Sequence, residues 1–215
     1  MSLRKKVSEI RIDYTRGALD ISQVASDPMV QFERWFEEAV SAEVLEPNAM
    51  TLGTVSEGQP SARVVLLKGF DDRGFVFYTN YDSRKAAELE EEPRAALTFF
   101  WPELQRQIRI EGTTQKAPES ESNAYYASRG RGSRIGAWAS PQSRPIKSRE
   151  YLENLVQQFS ARFEGQTEIP RPDYWGGYLL RPAYLEFWQG RPSRLHDRII
   201  YRRVEETWKL SRIAP

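Results

Sequence analysis

The segment of residues 50–80 reads MTLGTVSEGQPSARVVLLKGFDDRGFVFYTN, and its pattern decides the fold class. Three of its runs, residues 50–55, 62–70 and 75–79, are rich in β-branched and aromatic side chains. The tetrapeptides Glu-Gly-Gln-Pro and Asp-Asp-Arg-Gly separate these runs, and both are typical of turns. The segment therefore predicts three consecutive antiparallel strands.

Strands of the same kind recur along the rest of the chain, with helices between them. Further strands are predicted at residues 95–101, 105–116, 175–180, 184–189, 198–204 and 208–213. Helices are predicted at residues 28–43, from Ser83 to Glu91, at 119–128 and from Ser148 onward, with a Gly/Arg/Ser loop at 129–134. This order predicts an α+β fold, an antiparallel, Greek-key-like β-barrel, closed or split, with peripheral helices. No Gly-x-Gly-x-x-Gly follows a strand, which argues against a Rossmann dinucleotide site.

Composition sets the limits on domain number, partners and compartment. The 215 residues fit a single domain, predicted over 27–215, and the polar residues 1–26 predict a mobile N-terminal arm or lid. A net charge of +1 provides no global attraction to nucleic acid or membrane. The absence of cysteine and the presence of one histidine argue against disulfides and metal sites. No secretory signal or membrane-spanning run is visible, so a cytosolic protein is predicted.

The one histidine, His196, lies in the segment WQGRPSRLHDR at residues 188–198. Arg194 and Arg198 flank it, and their guanidinium groups suit planar anions and electron-rich edges. Histidine is also the side chain whose ordinary pKa lies nearest neutrality. The alternative interpretation is a solvated turn between two strands.

A second set of cations precedes and follows the strand at residues 75–79. Arg63 and Lys68 are the charged ends of an apolar run, where alternation places them on opposite faces unless a bulge intervenes. Snorkelling of both side chains is the alternative interpretation. Arg84 and Lys85 lie in the first turn of a predicted helix, where they oppose the helix dipole unless an anion binds there. Tyr78-Thr79 and Arg84-Lys85 together therefore predict an anion site.

A third set of polar side chains, at residues 125–133, predicts a second phosphate site. It combines the hydroxyls of Tyr125 and Ser133 with the guanidinium of Arg129. An exposed basic loop is the alternative, and nucleic-acid binding is disfavoured because the chain has no continuous basic stripe. Two phosphate sites and an aromatic wall suggest a phosphorylated cofactor beside a phosphorylated substrate.

Taken together, these motifs resemble the pyridoxine/pyridoxamine 5′-phosphate oxidase family. The matching pieces are RVVLLK (63–68), FYTN (77–80), SRK (83–85), RQIRIEG (106–112), SRIGAW (133–138), QS (142–143), YWGG (174–177), EFWQG (186–190), RLHDR (194–198) and RIAP (212–215). They occur in one order from about Arg11 to the last residue, and their joint occurrence is highly specific.

The resemblance implies a split barrel that binds FMN at a homodimer interface. It assigns FMN contacts to Arg63, Lys68, Tyr78, Thr79, Arg84, Lys85, Gln107, Gln142, Ser143, Trp188 and Arg198. It assigns contacts to the pyridoxal-type substrate to Lys68, Tyr125, Arg129, Ser133, Arg194 and His196. It also implies that Arg11 and Tyr14, in the N-terminal arm, close over the substrate.

The implied reaction is the oxidation of pyridoxamine or pyridoxine 5′-phosphate to pyridoxal 5′-phosphate. FMN takes up a hydride equivalent from C4′, and dioxygen then accepts the electrons and yields hydrogen peroxide. Arg194 and His196 are the expected catalytic residues, Arg194 covering the substrate ring and His196 acting as a base or only orienting it.

Three alternatives are open at the level of sequence. A sister oxidase would use FMN on another reduced ring, such as a phenazine precursor. A flavin reductase would use a nicotinamide donor, for which no binding motif is visible. A carrier would bind flavin or pyridoxal phosphate without turnover.

Overall fold

A computed structural model of the protein describes residues 12–215. Its helices are α1 (Pro28–Ser41), α2 (Arg84–Glu91), α3 (Glu119–Ser128), α4 (Arg131–Ala139) and α5 (Arg149–Arg162). Its strands are β1 (Ala49–Ser56), β2 (Gln59–Leu66), β3 (Gly69–Asp71), β4 (Gly74–Asn80), β5 (Arg94–Trp101), β6 (Arg106–Lys116), β7 (Trp175–Gln189), β8 (Asp197–Val204) and β9 (Thr207–Arg212). The mixture of strands and helices places the fold in the α+β class, as predicted.

Within residues 12–215 the nine strands form one sheet. The order of its main path is β2-β1-β5-β6-β7-β4-β3, while β8 pairs with β7 and β9 pairs with β8. The pairs β1–β2, β3–β4, β4–β7, β7–β8 and β8–β9 are antiparallel. The sequence predicted two strands where β7 is one continuous strand of 15 residues. It pairs with β4 over Trp175–Leu180 and with β8 over Tyr184–Gln189, and the change of partner around Pro182 explains the apparent gap.

The chain separates into two compact units, each built from non-contiguous segments. The first unit comprises the described part of Met1–Pro47 together with Thr98–Ile110 and Ala183–Pro215. The second comprises Asn48–Leu97 and Glu111–Pro182. The mobile arm predicted over residues 1–26 and the single domain predicted over 27–215 stay predictions.

Helix α1 forms part of the core of the first unit. Asp27 is its N-cap and accepts a hydrogen bond from the backbone N–H of Met29 at 2.7 Å, while Pro28 occupies the first helical position. The apolar face buries Phe32 and Trp35 almost completely. Burial of an aromatic side chain of this size contributes about 1.5–3 kcal/mol. The predicted helix is thus confirmed and ends two residues early, at Ser41.

The prediction of three consecutive antiparallel strands over residues 50–79 is wrong in one respect. The run at residues 62–70 breaks after Leu66, so that β2 and β3 lie at opposite ends of the main sheet path. The backbone N–H of Leu67 donates to Asn48 O, and the next N–H, that of Lys68, donates to Val76 O, both at 2.8 Å. Because the chain changes partners between these residues, the alternation argument for Arg63 and Lys68 does not extend across the break.

The loop predicted at residues 129–134 is also wrong, because helix α4 begins within it at Arg131. Glycines at 130 and 132 weaken the helical signal in the sequence. Tertiary packing stabilises the helix where its helix propensity is low, because Ile135 of α4 is buried in a cluster with Phe163 and Ile169. Helix α5, which precedes Phe163, begins as predicted with Ser148 as its N-cap.

Candidate active site

The turn between β4 and α2 leaves the start of the helix open to an anion. Ser83 is the N-cap residue, yet its side chain makes no capping bond to the first-turn amides. Its hydroxyl donates instead to the backbone carbonyl of Asn80 at 2.7 Å. Arg84 and Lys85 follow in the first turn, where α2 has no acidic residue. Uncapped amides and two adjacent cations together favour an anion at this helix end.

Lys85 contacts two other residues that are predicted to bind cofactor. Its Nζ donates to Thr79 Oγ1 at 3.1 Å and to Gln142 Oε1 at 2.9 Å. Burial lowers the pKa of Lys85, and the nearby charge of Arg63 lowers it further. The Glu88 carboxylate acts in the opposite direction on this pKa but does not outweigh these two effects. Both hydrogen-bond acceptors of Lys85 are uncharged, so a phosphate placed here would supply a negative charge in direct contact with it.

A buried carboxylate that the sequence analysis missed connects Arg63 and Arg84. Glu88 Oε2 lies 2.7 Å from Arg63 Nη2, and its Oε1 lies 2.7 Å from Arg84 Nε. Thr54 donates a further hydrogen bond to Glu88 at 2.5 Å. Burial alone would raise the pKa of Glu88, but the bonds from Thr54, Arg63 and Arg84 outweigh it and the pKa is lowered. The spacing of Arg84 and Glu88, four residues apart on a helix, was the signal that could have found this pair.

Three aromatic rings of the second unit form a stack beside Arg129. The ring centroids of Tyr78 and Tyr125 are 4.0 Å apart, and those of Tyr78 and Trp175 are 5.6 Å apart. Gly177 makes this packing possible, because a Cβ there would lie 2.9 Å from Tyr78 Cε1. Trp175, which the sequence analysis quoted in a motif without assigning it a role, is therefore part of the site.

The guanidinium of Arg129 lies over this stack, with its Cζ 4.5 Å from the Trp175 ring centroid. Its Nη1 is buried and has no hydrogen-bond partner among residues 12–215. Burial lowers the pKa of Arg129, whose side chain nevertheless stays cationic at neutral pH. A buried cationic donor without an acceptor carries a large cost, which an anionic ligand would remove.

A cavity of about 210 Å³ lies beside Arg129. It is lined by Asn80, Arg129, Ser133, Gly136, Ala137, Ser140, Gln142 and Trp175. Three of the predicted site residues, Arg129, Ser133 and Gln142, therefore share one concavity. We call Arg63, Thr79, Arg84, Lys85, Arg129, Ser133 and Gln142 the phosphate cluster.

In the first unit, His196 lies among aromatic rings. Its ring centroid is 4.5 Å from that of Trp188, and the Tyr14 and Trp188 centroids are 5.7 Å apart. Its Nδ1 accepts a hydrogen bond from the backbone N–H of Arg191 at 3.1 Å, so the proton of the neutral ring is on Nε2. Burial lowers the pKa of His196, and the charge of Arg194 lowers it further, so the ring is neutral at neutral pH.

The loop before His196 holds two residues in the left-handed region. Ser193 has φ 56° and Arg194 has φ 62°, and neither is glycine. Such conformations are costly and concentrate at functional sites. A cavity of about 530 Å³ is lined here by Ile12, Asp13, Tyr14, Arg191, Ser193, Arg194 and His196. We call Tyr14, Trp188, Arg194 and His196 the histidine cluster.

Arg198, a predicted FMN contact, is held by a carboxylate. Its Nε and Nη2 lie 2.8 and 3.0 Å from the two oxygens of Glu186, whose side chain is almost fully buried. Its Nη1 donates to Ala214 O at 3.0 Å. Glu186 also accepts from Arg109 and Tyr184, so this carboxylate is the centre of a buried network.

The remaining predicted site residues are exposed or half-buried, or lie outside the described residues. Lys68 is exposed just after β2, Gln107 is half-buried in β6, and Ser143 is exposed with φ 67°. Arg11 lies outside the described residues. Among residues 12–215, no group of His, Cys, Asp or Glu side chains is placed to hold a metal ion. No helix in the same range has the length and apolar character to span a membrane.

Comparison with known proteins gives two family matches. Residues 36–163 match the family described as pyridoxamine 5′-phosphate oxidase. Residues 175–215 match the family described as the pyridoxine 5′-phosphate oxidase C-terminal dimerisation region, which indicates a homodimer.

Full-length relatives and a solved structure agree with these matches. The pyridoxine/pyridoxamine 5′-phosphate oxidase of Cupriavidus taiwanensis is 57% identical, with 98% of this chain and 99% of that protein covered. The enzyme of the same name from Rubrobacter xylanophilus is 54% identical, with 99% and 98% covered. The crystal structure of PhzG from Burkholderia lata, in complex with tetrahydrophenazine-1-carboxylic acid, has a TM-score of 0.86 at 33% identity and covers 93% of this chain and 100% of that one.

The split-barrel fold expected from the sequence is confirmed by this structural likeness. The family matches extend over most of the sheet and over α2 to α5, and thus include every residue of the phosphate cluster. Because relatives more than 50% identical span nearly the whole chain, the chain belongs to the pyridoxine/pyridoxamine 5′-phosphate oxidase family.

Proposed function

We propose that the protein is an FMN-dependent oxidase that converts pyridoxamine or pyridoxine 5′-phosphate to pyridoxal 5′-phosphate, with dioxygen as electron acceptor and hydrogen peroxide as product. The observation that carries the proposal is the buried Nη1 of Arg129, which lacks a partner among residues 12–215, on a side chain that lines the same cavity as Ser133. A phosphorylated substrate satisfies that donor, whereas an uncharged substrate leaves it unsatisfied.

The donor set of the phosphate cluster fits the phosphate of FMN. Arg63, Arg84 and Lys85 supply positive charge, and Thr79 and Gln142 supply neutral hydrogen-bonding groups close to Lys85. When bound, FMN supplies the redox chemistry, accepting a hydride equivalent from the substrate and returning electrons to dioxygen. The further FMN contacts in this proposal are Lys68, Tyr78, Gln107, Ser143, Trp188 and Arg198.

The substrate phosphate is assigned to Lys68, Tyr125, Arg129 and Ser133. Arg129 is fixed from one side by the Trp175 ring, so its free Nη1 is held in a defined direction before substrate binds. Fixing the phosphate restricts the position of the substrate's C4′ carbon, which lowers the entropic part of the barrier.

The substrate ring is assigned to the histidine cluster, with Arg11 and Tyr14 closing over it. Arg194 is exposed on the loop with left-handed backbone, and we assign it to the face of the substrate ring. Neutral His196 presents an Nε2–H that donates to an oxygen or nitrogen near C4′. Because its Nδ1 is already occupied by the Arg191 N–H, the protonated Nε2 favours orientation of the substrate over proton removal.

Oxidation of a reduced phenazine ring is the second candidate, because the PhzG structure is 33% identical over nearly the whole chain. Both substrates carry an anionic group that can pair with the guanidinium of Arg129, so this residue does not separate the two candidates. The phosphorylated substrate is favoured by the full-length relatives of 54–57% identity, which are named pyridoxine/pyridoxamine 5′-phosphate oxidase. The flavin position at a homodimer interface belongs to the proposal as well, and the cytosolic location stays a prediction.

An anaerobic titration tests the proposal. The purified protein is loaded with FMN, pyridoxamine 5′-phosphate is added without oxygen, and the visible flavin absorbance is followed. Bleaching that returns on admission of air, with pyridoxal 5′-phosphate formed, supports the proposal. Flavin that stays yellow with both phosphorylated vitamers but bleaches with a dihydrophenazine acid would support the second candidate instead.

A further inference from the structure

Glu88 is the most buried carboxylate in contact with the phosphate cluster, and the mechanism above gives it no role. Its side chain accepts three hydrogen bonds from Thr54, Arg63 and Arg84. Two of these donors, Arg63 on β2 and Arg84 on α2, are proposed cofactor contacts. One carboxylate therefore fixes both guanidinium groups in relation to the start of α2.

The hydrogen bonds leave different nitrogen atoms of the two arginines open to a ligand. Arg84 reaches Glu88 through Nε, while its side chain is 67% exposed. Among residues 12–215, no hydrogen bond engages the two terminal nitrogens of Arg84, which are the ones suited to a bidentate phosphate contact. Arg63 is more enclosed, because Thr54 Oγ1 at 2.5 Å and Ser61 Oγ at 2.7 Å also hold its terminal nitrogens.

The local charge balance also suits a phosphate. Arg63, Arg84 and Lys85 carry three positive charges, and Glu88 neutralises one of them. Without Glu88, three cations would face one another around the uncapped helix end. The carboxylate thus permits the cations to be close together before any anion is bound.

We propose that Glu88 is a positioning residue, which holds Arg63 and Arg84 in the orientation that binds the phosphate of FMN. The inference rests on the flavin assignment of the proposed function and adds a residue to it. Glu88 acts through the two arginines, so its loss should affect phosphate recognition and leave recognition of the flavin ring unchanged.

The test compares the affinities of FMN and riboflavin, which differ only in the phosphate. Flavin-free wild-type protein, Glu88→Ala and the matched control Glu91→Ala are titrated with each flavin, and quenching of flavin fluorescence is measured. Glu91 lies one turn further along α2 and accepts hydrogen bonds from Ser56 Oγ and the Glu57 N–H, neither of which is a proposed cofactor contact.

We expect Glu88→Ala to raise the Kd of FMN by about tenfold and to leave the Kd of riboflavin within twofold of wild type, as loss of a charge-assisted contact implies. Glu91→Ala should change neither. An FMN affinity within twofold of wild type would overturn the inference, and so would an equal loss for FMN and riboflavin, which indicates general damage to the site. A wild-type protein that binds neither flavin would instead overturn the flavin assignment itself.

Two milder variants keep the test decisive if Glu88→Ala does not fold. Glu88→Gln retains one acceptor oxygen and removes the charge, so about a threefold loss of FMN affinity is expected with riboflavin unchanged. Thr54→Val removes a donor to Glu88 and an acceptor of Arg63 Nη1, while both guanidinium–carboxylate contacts remain, and a smaller loss of the same selectivity is expected. Unchanged FMN-to-riboflavin selectivity in both variants would refute the role.

Discussion

Arg129 and Arg198 are both half-buried arginines, yet their surroundings differ. In the second unit, Arg129 lies over an aromatic ring and leaves a buried nitrogen without a partner among residues 12–215. In the first unit, Arg198 forms two hydrogen bonds to the buried carboxylate of Glu186 and a third to a backbone carbonyl. An arginine neutralised within the fold contributes to stability, whereas one left unneutralised at a cavity is available for a ligand. Proposed site residues of the same type therefore call for different tests.

The largest effect expected from this contrast is on stability, at Arg198. The substitution Arg198→Leu leaves buried Glu186 with Arg109 as its remaining cation. Loss of one partner of a buried ion pair costs about 3–5 kcal/mol, and Arg109 should keep the loss near 3 kcal/mol. Urea unfolding of the flavin-free protein measures it, with Arg202→Leu on the same strand as the control. A decrease of less than about 1 kcal/mol in the free energy of unfolding would contradict the contrast drawn between Arg198 and Arg129.

The opposite pattern is expected at Arg129. The substitution Arg129→Met removes a buried charge without a partner, so the free energy of unfolding should change by less than about 1 kcal/mol. The value of kcat/KM for pyridoxamine 5′-phosphate should fall by about 10- to 100-fold, as loss of a charge-assisted bond implies. Steady-state kinetics measures this loss, and Arg149→Met, at an exposed position of α5, provides the control. A wild-type kcat/KM in Arg129→Met would refute the assignment of Arg129 to the substrate phosphate.

A smaller effect concerns the charge of His196. Burial and Arg194 lower the pKa of this ring below its ordinary value of 6.5. Because the folded form binds the proton less well than the unfolded chain, stability is retained above about pH 6.5 and is lost as the pH falls through the folded pKa. The chain has one histidine, so its NMR titration is unambiguous. Arg194→Gln should raise the pKa toward 6.5, and an unchanged titration midpoint would exclude electrostatic coupling between the two residues.

The smallest effect is expected at Ser193, in the left-handed loop of the histidine cluster. Ser193→Gly relieves an unfavourable φ while adding backbone entropy to the unfolded chain, so a net gain of about 0.5 kcal/mol is expected. Differential scanning calorimetry measures the gain as a higher Tm. The same variant should have a lower kcat/KM, because Arg194 is then held less firmly. A lower Tm would show that the surroundings offset the strain.

The sequence predicted most of the fold because the apolar periodicity of these segments is strong. Two of the predicted helices begin where predicted, and each start carries a side-chain capping bond, from Asp27 in α1 and from Ser148 in α5. The break after Leu66 was not predictable, because the sequence of an apolar run does not indicate which strand will accept the hydrogen bond of each backbone N–H. Helix α4 was missed for a related reason, since its glycine-rich start depends on distant packing against Phe163.

The residues of the candidate site were largely predictable from the sequence, whereas the contacts between them were less so. Lys85, Thr79 and Gln142 were each named from the sequence, and the structure brings the three into hydrogen-bonding contact. Glu88 was not named and Glu186 was quoted only within a motif without a role, because a single glutamate in a helix or strand gives no local sign that it will be buried. The spacing of Arg84 and Glu88 on α2 indicates one contact, but Arg63 and Thr54 come from other segments, so the full set of partners is identified only in the folded structure.

Strand β7 has a consequence for how this chain tolerates insertions and deletions. Its 15 residues pair with β4 along one part and with β8 along another, so each part has its own register to keep. A single added or deleted residue within Trp175–Leu180 turns the side chains that follow it to the opposite faces of the β4 pair. Substitutions in β7 change one side chain at a time, whereas a one-residue length change displaces a whole row. A library of one-codon insertions and deletions should therefore recover folded variants in the surrounding loops and none within Trp175–Leu180.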